Sequence, residues 1–178
     1  MPSAIVERPQ STDFMPYYAN YIGLVPAGDL IEIAERQIGA MRQEFGCWTE
    51  AQSRFRYAPD KWSIREIVGH LSDTERVFSY RATAFARGDT APLPGFDQAA
   101  WNPLGQFDSR PLPDLLDEWE AVRRATLALM RGMPADGLRR QGTASGNLAT
   151  VLALLTIPVG HALYHLKLLH RDYAGARD

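Results

Sequence analysis

The sequence predicts an all-α protein, a four-helix bundle with long connections. Three observations lead there. Pro and Gly punctuate the chain into a few blocks, apolar residues recur within those blocks at steps of three and four, and no segment carries a convincing strand pattern. Helices with one apolar stripe each must bury those stripes on one another, and a bundle does so.

Residues 1–16, with Pro2, Pro9 and Pro16, read as a loose lead-in. YYANYIGLV suggests a short helix that stops near Pro26. In AGDLIEIAERQIGAMRQEF, Leu30, Ile31, Ala34, Ile38 and Met41 share one face, which predicts the first long helix. Trp48 to Pro59 is a connection. DKWSIREIVGHL then carries a clear start signal. Ser63 is a good N-cap, Glu66 follows three residues later as a capping box requires, and Trp62 and Ile67 are spaced for a hydrophobic staple. The helix that begins there should run from about Ser63 to about Arg87 and end at Gly88. GDTAPLPGFDQAAWNPLGQFDSRPLPD follows, rich in Pro, Gly and aromatics; a connection that long in a compact domain is usually functional or packed as a lid. A third long helix is expected from about Pro113 to Met133, with Leu115, Leu116, Trp119, Val122 and Leu129 as its stripe. GMPADGLRRQGTASGN is a second irregular stretch. The last helix covers about Thr150 to Tyr173, with a kink expected at Pro158, which lacks a backbone donor.

With 178 residues, the chain fits a single domain, 1–178, with a core that needs no staples. Its 46% hydrophobic and 22% charged residues are ordinary for a soluble globular protein. A net charge of −2 argues against nucleic acid or an anionic membrane as partner. Cys47 is the single cysteine, so no intrachain disulfide forms; this fits a reducing compartment. MPSAIVERPQ is not the charged head and apolar run of a signal peptide, and a cytoplasmic location is the expectation. Gln141 to Leu166 contains no Lys, Arg, Asp or Glu. Its Thr, Pro, Gly and His residues, and the lack of a second such segment, speak against a membrane span. A buried bundle helix, or one shared with a partner copy, accounts for it equally well.

Three of the four histidines lie in GHALYHLKLLH, residues 160–170. His161 and His165 are one turn apart on one helix face, a spacing at which two imidazoles can share a metal ion. His170, nine residues from His161, falls near the opposite side and is excluded. His70, on the second long helix, is the remaining histidine; if the bundle brings it to the pair, three nitrogens and open positions make the catalytic rather than the structural form of metal site. Buried histidines satisfied by neighbours, or surface ones, are the commoner outcome of such a pattern. Ala162 stands where a zinc protease of the H-E-x-x-H type has its glutamate. No Glu-x-x-His pair, C-x-x-C, G-x-S-x-G or P-loop occurs.

Glu66, Asp73, Thr74 and Arg81 lie within about 60° of His70 on the helical wheel. Asp73 could orient a ligand imidazole, and Arg81 could serve a pocket; both are weak catalytic candidates, set against ordinary ion pairing. Glu66 is assigned to the cap. Cys47 reads as small and buried or inert, Tyr164 as packing, and Phe96 and Trp101 as aromatics that either close over a pocket or form satellite core.

KWSIREIVGHLSDTERVFSYRA and GHALYHLKLLHRDY, together with RFRYAPDKWS, RGDTAPLPGFD and GTASGN, resemble the DinB-like superfamily, which takes in the YfiT-like metal hydrolases. The resemblance covers nearly the whole chain. It implies a four-helix bundle, commonly a homodimer, with a divalent metal, zinc or nickel, held by three histidines: here His70, His161 and His165. It also implies thiol-dependent transferases and isomerases among the relatives, with a low-molecular-weight thiol as cosubstrate. Similar sequences often read G-H-E-x-H-H at the last helix; here Ala162 replaces the Glu and Tyr164 the first closing His. The function that follows is a divalent-metal-dependent enzyme, a thiol-dependent S-transferase or hydrolase acting on a small molecule. A non-catalytic metal-binding, stress-associated bundle is the alternative. A scaffold with merely buried histidines is the third reading, and it predicts that His70 lies far from the other two.

Overall fold

Four long helices close into a ring in the computed structural model, which describes residues 4–176. They are α2 (Leu30–Gly46), α3 (Ile64–Ala86), α5 (Leu112–Arg131) and α7 (Val151–Asp172), with short α1 (Ala19–Ile22), α4 (Gln98–Gly105) and α6 (Ala135–Leu138) between them. α2 packs on α5, α5 on α3, α3 on α7, and α7 back on α2. The apolar stripes read from the sequence face inward, apart from half-buried Val122 on α5, and meet in one contiguous core that includes Met41, Phe45, Val68, Trp119, Leu127 and Leu155.

Three of the four long helices start on a side-chain cap, and α5 starts after Pro111 without one. The Asp29 carboxylate accepts from Ile31 N at 3.0 Å and caps α2. At α3 both halves of the capping box form: Ser63 Oγ accepts from Glu66 N at 3.1 Å and Glu66 Oε2 accepts from Ser63 N at 2.8 Å. Glu66 is therefore a cap residue, as expected, and is further paired with Arg56. Gly88, at φ +87°, lies just beyond the end of α3. Thr150 Oγ1 accepts from Ala153 N at 3.2 Å and caps α7.

α7 explains the uncharged stretch. Every residue from Val151 to Ala162 is buried. Among the described residues it is the one helix long and apolar enough to cross a membrane, but 78% of its most apolar window lies inside the bundle. The composition is that of a core helix on which α1, α2 and α3 converge. Pro158 is accommodated within the helix, which runs unbroken to Asp172.

Three expectations need correction. A strand pair does exist: β1 (Gln141–Ala144) and β2 (Asn147–Thr150) form an antiparallel hairpin, with Gln141 opposite Thr150 and Ala144 opposite Asn147. Its two loop residues, Ser145 and Gly146, both have positive φ, 53° and 75°, as a type I′ turn requires. The long connection after α3 is not wholly irregular, because Asp97 caps α4 within it and Leu93 bridges to Ala144 beside the hairpin. The described part of the lead-in is fastened rather than loose. Ile5 is 2% exposed. Its N–H donates to Asp29 Oδ1 at 2.8 Å, and its carbonyl accepts from Leu30 N at 2.8 Å. Residues 1–3 lie outside the described residues.

Candidate metal centre

The histidines meet because α3 and α7 pack closely, and two glycines permit the fit. Gly160, just before His161, faces α1: a Cβ there would lie 2.0 Å from the Tyr21 carbonyl oxygen. Gly69, just before His70, faces Phe107: a Cβ would lie 2.2 Å from its ring. Both distances are far inside van der Waals contact. The missing side chains let neighbours close over the backbone while the next residue points into the bundle. Tyr21, brought in this way, packs its ring 5.1 Å from that of His161.

His70, His161 and His165 converge through their Nε2 atoms. His70 Nε2 and His165 Nε2 lie 3.1 Å and 3.0 Å from His161 Nε2. One potential ligand atom from each lies within 4.8 Å of the others. The scaffold reading, which needs His70 far from the pair, is thereby overturned. All three are buried, and burial pushes their pKa values down: His70 to about 4, His165 to about 3 with help from His70, and His161 well below its ordinary value, with His165, His70 and Arg123 adding to the burial effect. They are neutral imidazoles at pH 7, the form that ligates a metal.

The donor set fits a cation better than it fits internal hydrogen bonding. A single ring nitrogen offers either one N–H or one lone pair. His161 Nε2 faces two other nitrogens, so at most one of these contacts can be a well-formed hydrogen bond. If all three Nε2 atoms carry lone pairs, the Nδ1 atoms carry the protons; His70 Nδ1 then donates to Thr74 Oγ1, 3.3 Å away. His165 Nδ1 is buried and without a partner. Metal–nitrogen bonds of about 2.0–2.1 Å place tetrahedral ligands about 3.3 Å apart, so the two contacts to His161, at 3.1 and 3.0 Å, need to open by only a few tenths of an ångström.

The cluster borders two cavities, one through His161 alone and the other through all three histidines. One, of ≈ 350 Å³, is lined by His161, Thr74, Tyr18, Tyr21 and Phe96, among others. The second, of ≈ 250 Å³, is lined by all three histidines with Trp62, Tyr57 and Tyr164 among the rest. His161 and Tyr21 belong to both. Tyr164 thus lines a cavity as well as packing on Tyr21 and His165. Phe96 lines the larger cavity and stacks on Trp101, which is exposed.

Other sequence candidates fall elsewhere. Asp73 does not hold an imidazole: it pairs with Arg76 at 3.4 Å, and Thr74 takes the position beside His70. Arg81 is buried next to the larger cavity, where its Nη2 donates to the Pro94 carbonyl and Ser145 Oγ. His170 lies away from the cluster, 2.8 Å from Glu44. Cys47, read as buried or inert, is exposed, so the buried half of that reading is corrected: α2 ends just before it, and Sγ donates to Glu44 O. Sequence reasoning missed Tyr17 and Tyr21, whose hydroxyls lie 3.1 Å apart on the rim of both cavities. Their only local signal was a tyrosine-rich segment, and nothing in it indicated the docking on α7.

A sequence profile described as the DinB superfamily matches residues 33–169. No curated protein matches the chain. Among solved structures, YfiT from Bacillus subtilis, described as a probable metal-dependent hydrolase with an unusual four-helix bundle topology, superposes on 93% of this chain and 93% of its own with a TM-score of 0.73. At 18% identity that likeness establishes the shared fold. The profile match spans well over half the sequence and includes all three converging histidines: the chain belongs to the DinB superfamily.

Proposed function

We propose that this protein is a divalent-metal-dependent enzyme that acts on a small molecule, by hydrolysis or by thiol-dependent transfer, with His70, His161 and His165 as the metal ligands. One observation carries the reading: three neutral, buried imidazole nitrogens converge on the lining of one cavity, and His161 lines a second. Three nitrogen donors without a carboxylate suit zinc or nickel rather than magnesium or calcium. When bound, such an ion supplies the positive charge that lowers the pKa of a water or thiol beside it. Thr74 Oγ1 can accept the His70 Nδ1 proton when Nε2 ligates, and the aromatic rings of Tyr21 and Trp62 against the histidines limit access of bulk water. The description of YfiT as a probable metal-dependent hydrolase favours the same class of chemistry. A purely storage or structural site would have closed surroundings; cavities of ≈ 350 and ≈ 250 Å³ beside the cluster favour catalysis. For the transfer reaction the thiol comes from solution, because Cys47 lines neither cavity.

The test is a screen of the zinc- and nickel-loaded protein against small ester, amide and lactone substrates, and against thiol-dependent additions with low-molecular-weight thiols. The expected result is an activity abolished by chelator, restored by metal and lost in His161→Ala. Turnover unaffected by chelator and by His161→Ala would overturn the assignment.

A further inference from the structure

A buried cation without an anion stands behind the larger cavity. Arg81 is 3% exposed. A guanidinium keeps its charge at any physiological pH, and buried charges are ordinarily paired. The other two buried arginines follow that rule: Arg123 meets Glu75, and Arg65 meets Glu50. Arg81 has no carboxylate within ion-pair distance among the described residues. Its Nη2 donates to the Pro94 carbonyl at 2.6 Å and to Ser145 Oγ at 2.9 Å. Its guanidinium also faces the Tyr18 hydroxyl and the rings of Phe78 and Phe96, at 5.4 and 5.9 Å.

The hydroxyls around Arg81 pass its charge to the cavity. A hydroxyl that accepts from a guanidinium keeps its own proton for another acceptor, and the cation makes that proton a better donor. Ser145 and Tyr18 both line the ≈ 350 Å³ cavity. Ser145 is held in place by the hairpin loop, at φ 53°, with its N–H donating to the Leu93 carbonyl at 3.0 Å. Asp97 shares this cavity, with its Oδ1 turned to Ala99 N and Ala100 N at the start of α4, from which it accepts. Phe78, Phe96 and Tyr21 supply apolar wall, and His161 lies on the same cavity.

We propose that this cavity binds a small organic carboxylate with an aromatic or apolar body, its anionic end held by the Ser145 and Tyr18 hydroxyls backed by Arg81 and its other end toward His161. This names a substrate class for the site and rests on reading the histidine cluster as the reaction centre. Two hydroxyl donors match the two oxygens of a carboxylate, and the rings leave a phosphate's additional oxygens without partners.

The test measures binding of three probes of one shape, phenylacetate, phenylacetamide and phenethylamine, by calorimetry on metal-depleted and zinc-loaded protein. Phenylacetate is expected to bind the metal-depleted protein about tenfold tighter than the amide, the size of one charge-assisted hydrogen bond. That preference should shrink in Ser145→Ala and vanish in Arg81→Gln. Circular dichroism checks that both variants fold, and Ser145→Ala, which removes a single hydroxyl and leaves Arg81 in place, keeps the test available if Arg81→Gln does not. Equal binding of acid and amide, tighter binding of the amine, or no binding of any probe would overturn the inference. So would a carboxylate preference that appears only with zinc and survives both variants; that result would leave the metal site standing and assign selection to the ion. Conversely, an Arg81-dependent preference in protein that takes up no metal would sustain the anion site while the enzyme reading failed.

Discussion

The three imidazoles at the centre are held neutral by burial, and that has a consequence for acid stability. His70 and His165 have folded-state pKa values of about 4 and about 3, below the ordinary 6.5. Between pH 6.5 and 4 the unfolded chain takes up protons that the folded chain refuses, so stability present above pH 6.5 falls as pH drops. We expect the thermal midpoint of metal-free protein to decline from pH 6.5 to 5, before most carboxylates titrate, and to decline less steeply in His165→Gln. A flat profile in that window would contradict the burial. At this scale the sequence was informative about ligands and poor about their neighbours. The spacing of His161 and His165 is local and was legible. That His70 meets them was implied by family resemblance, and could not be computed from spacing. Asp73 misled, since a helical wheel gives the direction of Cβ but not the pull of Arg76 on a carboxylate. The residue that does touch His70 is Thr74, one turn on.

At the scale of elements, helix starts were legible because capping is local chemistry. Ser63 and Glu66 form the reciprocal bonds their spacing announced. The hairpin at 141–150 was not legible, because four-residue strands of small residues carry too little alternation, and its stability comes from Leu93 and the bundle beneath it. Close approaches between elements are also invisible in sequence, and glycines mark them. A methyl group added at Gly39 on α2 would meet nothing within 4 Å, whereas one added at Gly160 would fall 2.0 Å from a backbone oxygen of α1. Replacing glycine by alanine inside a helix favours folding by about 0.5–1 kcal/mol when space allows. Overpacking costs about 1–3 kcal/mol, and a backbone carbonyl cannot rotate out of the way. Gly39→Ala is therefore expected to raise stability to chemical denaturation, and Gly160→Ala to lower it and shift the tyrosine fluorescence as Tyr21 leaves His161. Equal effects of the two substitutions would show that α1 is not seated on α7 as described.

At the scale of the whole molecule, one buried polar node joins all four long helices. Arg123 on α5 donates to Glu75 on α3 at 2.7 Å, to Gln37 on α2, and to the Pro158 carbonyl on α7 at 3.4 Å; Gln37 Nε2 donates in turn to the Val159 carbonyl at 2.8 Å. The node lies close enough to His161 to act on it electrostatically. Removing one member strands a buried charge, at about 3–5 kcal/mol, while replacing both by apolar residues of similar size is far less costly. Glu75→Ala is expected to lose that much in urea unfolding and Glu75→Leu with Arg123→Met much less; equal losses would mean the pair is not a closed unit. Nothing in the sequence singled out Glu75 or Arg123, because only the assembled ring reveals that they face each other. The bundle itself was legible, since striped helices and an uncharged last helix have few ways to be buried together. The proposed role of the bundle is to present three nitrogens to a metal ion. Elemental analysis of untagged protein, purified without chelator and without nickel resin, tests it most directly. About one divalent ion per chain is expected, absent from His70→Ala, His161→Ala and His165→Ala and retained in His170→Ala. No metal in the wild type, and no uptake of added zinc or nickel, would contradict it.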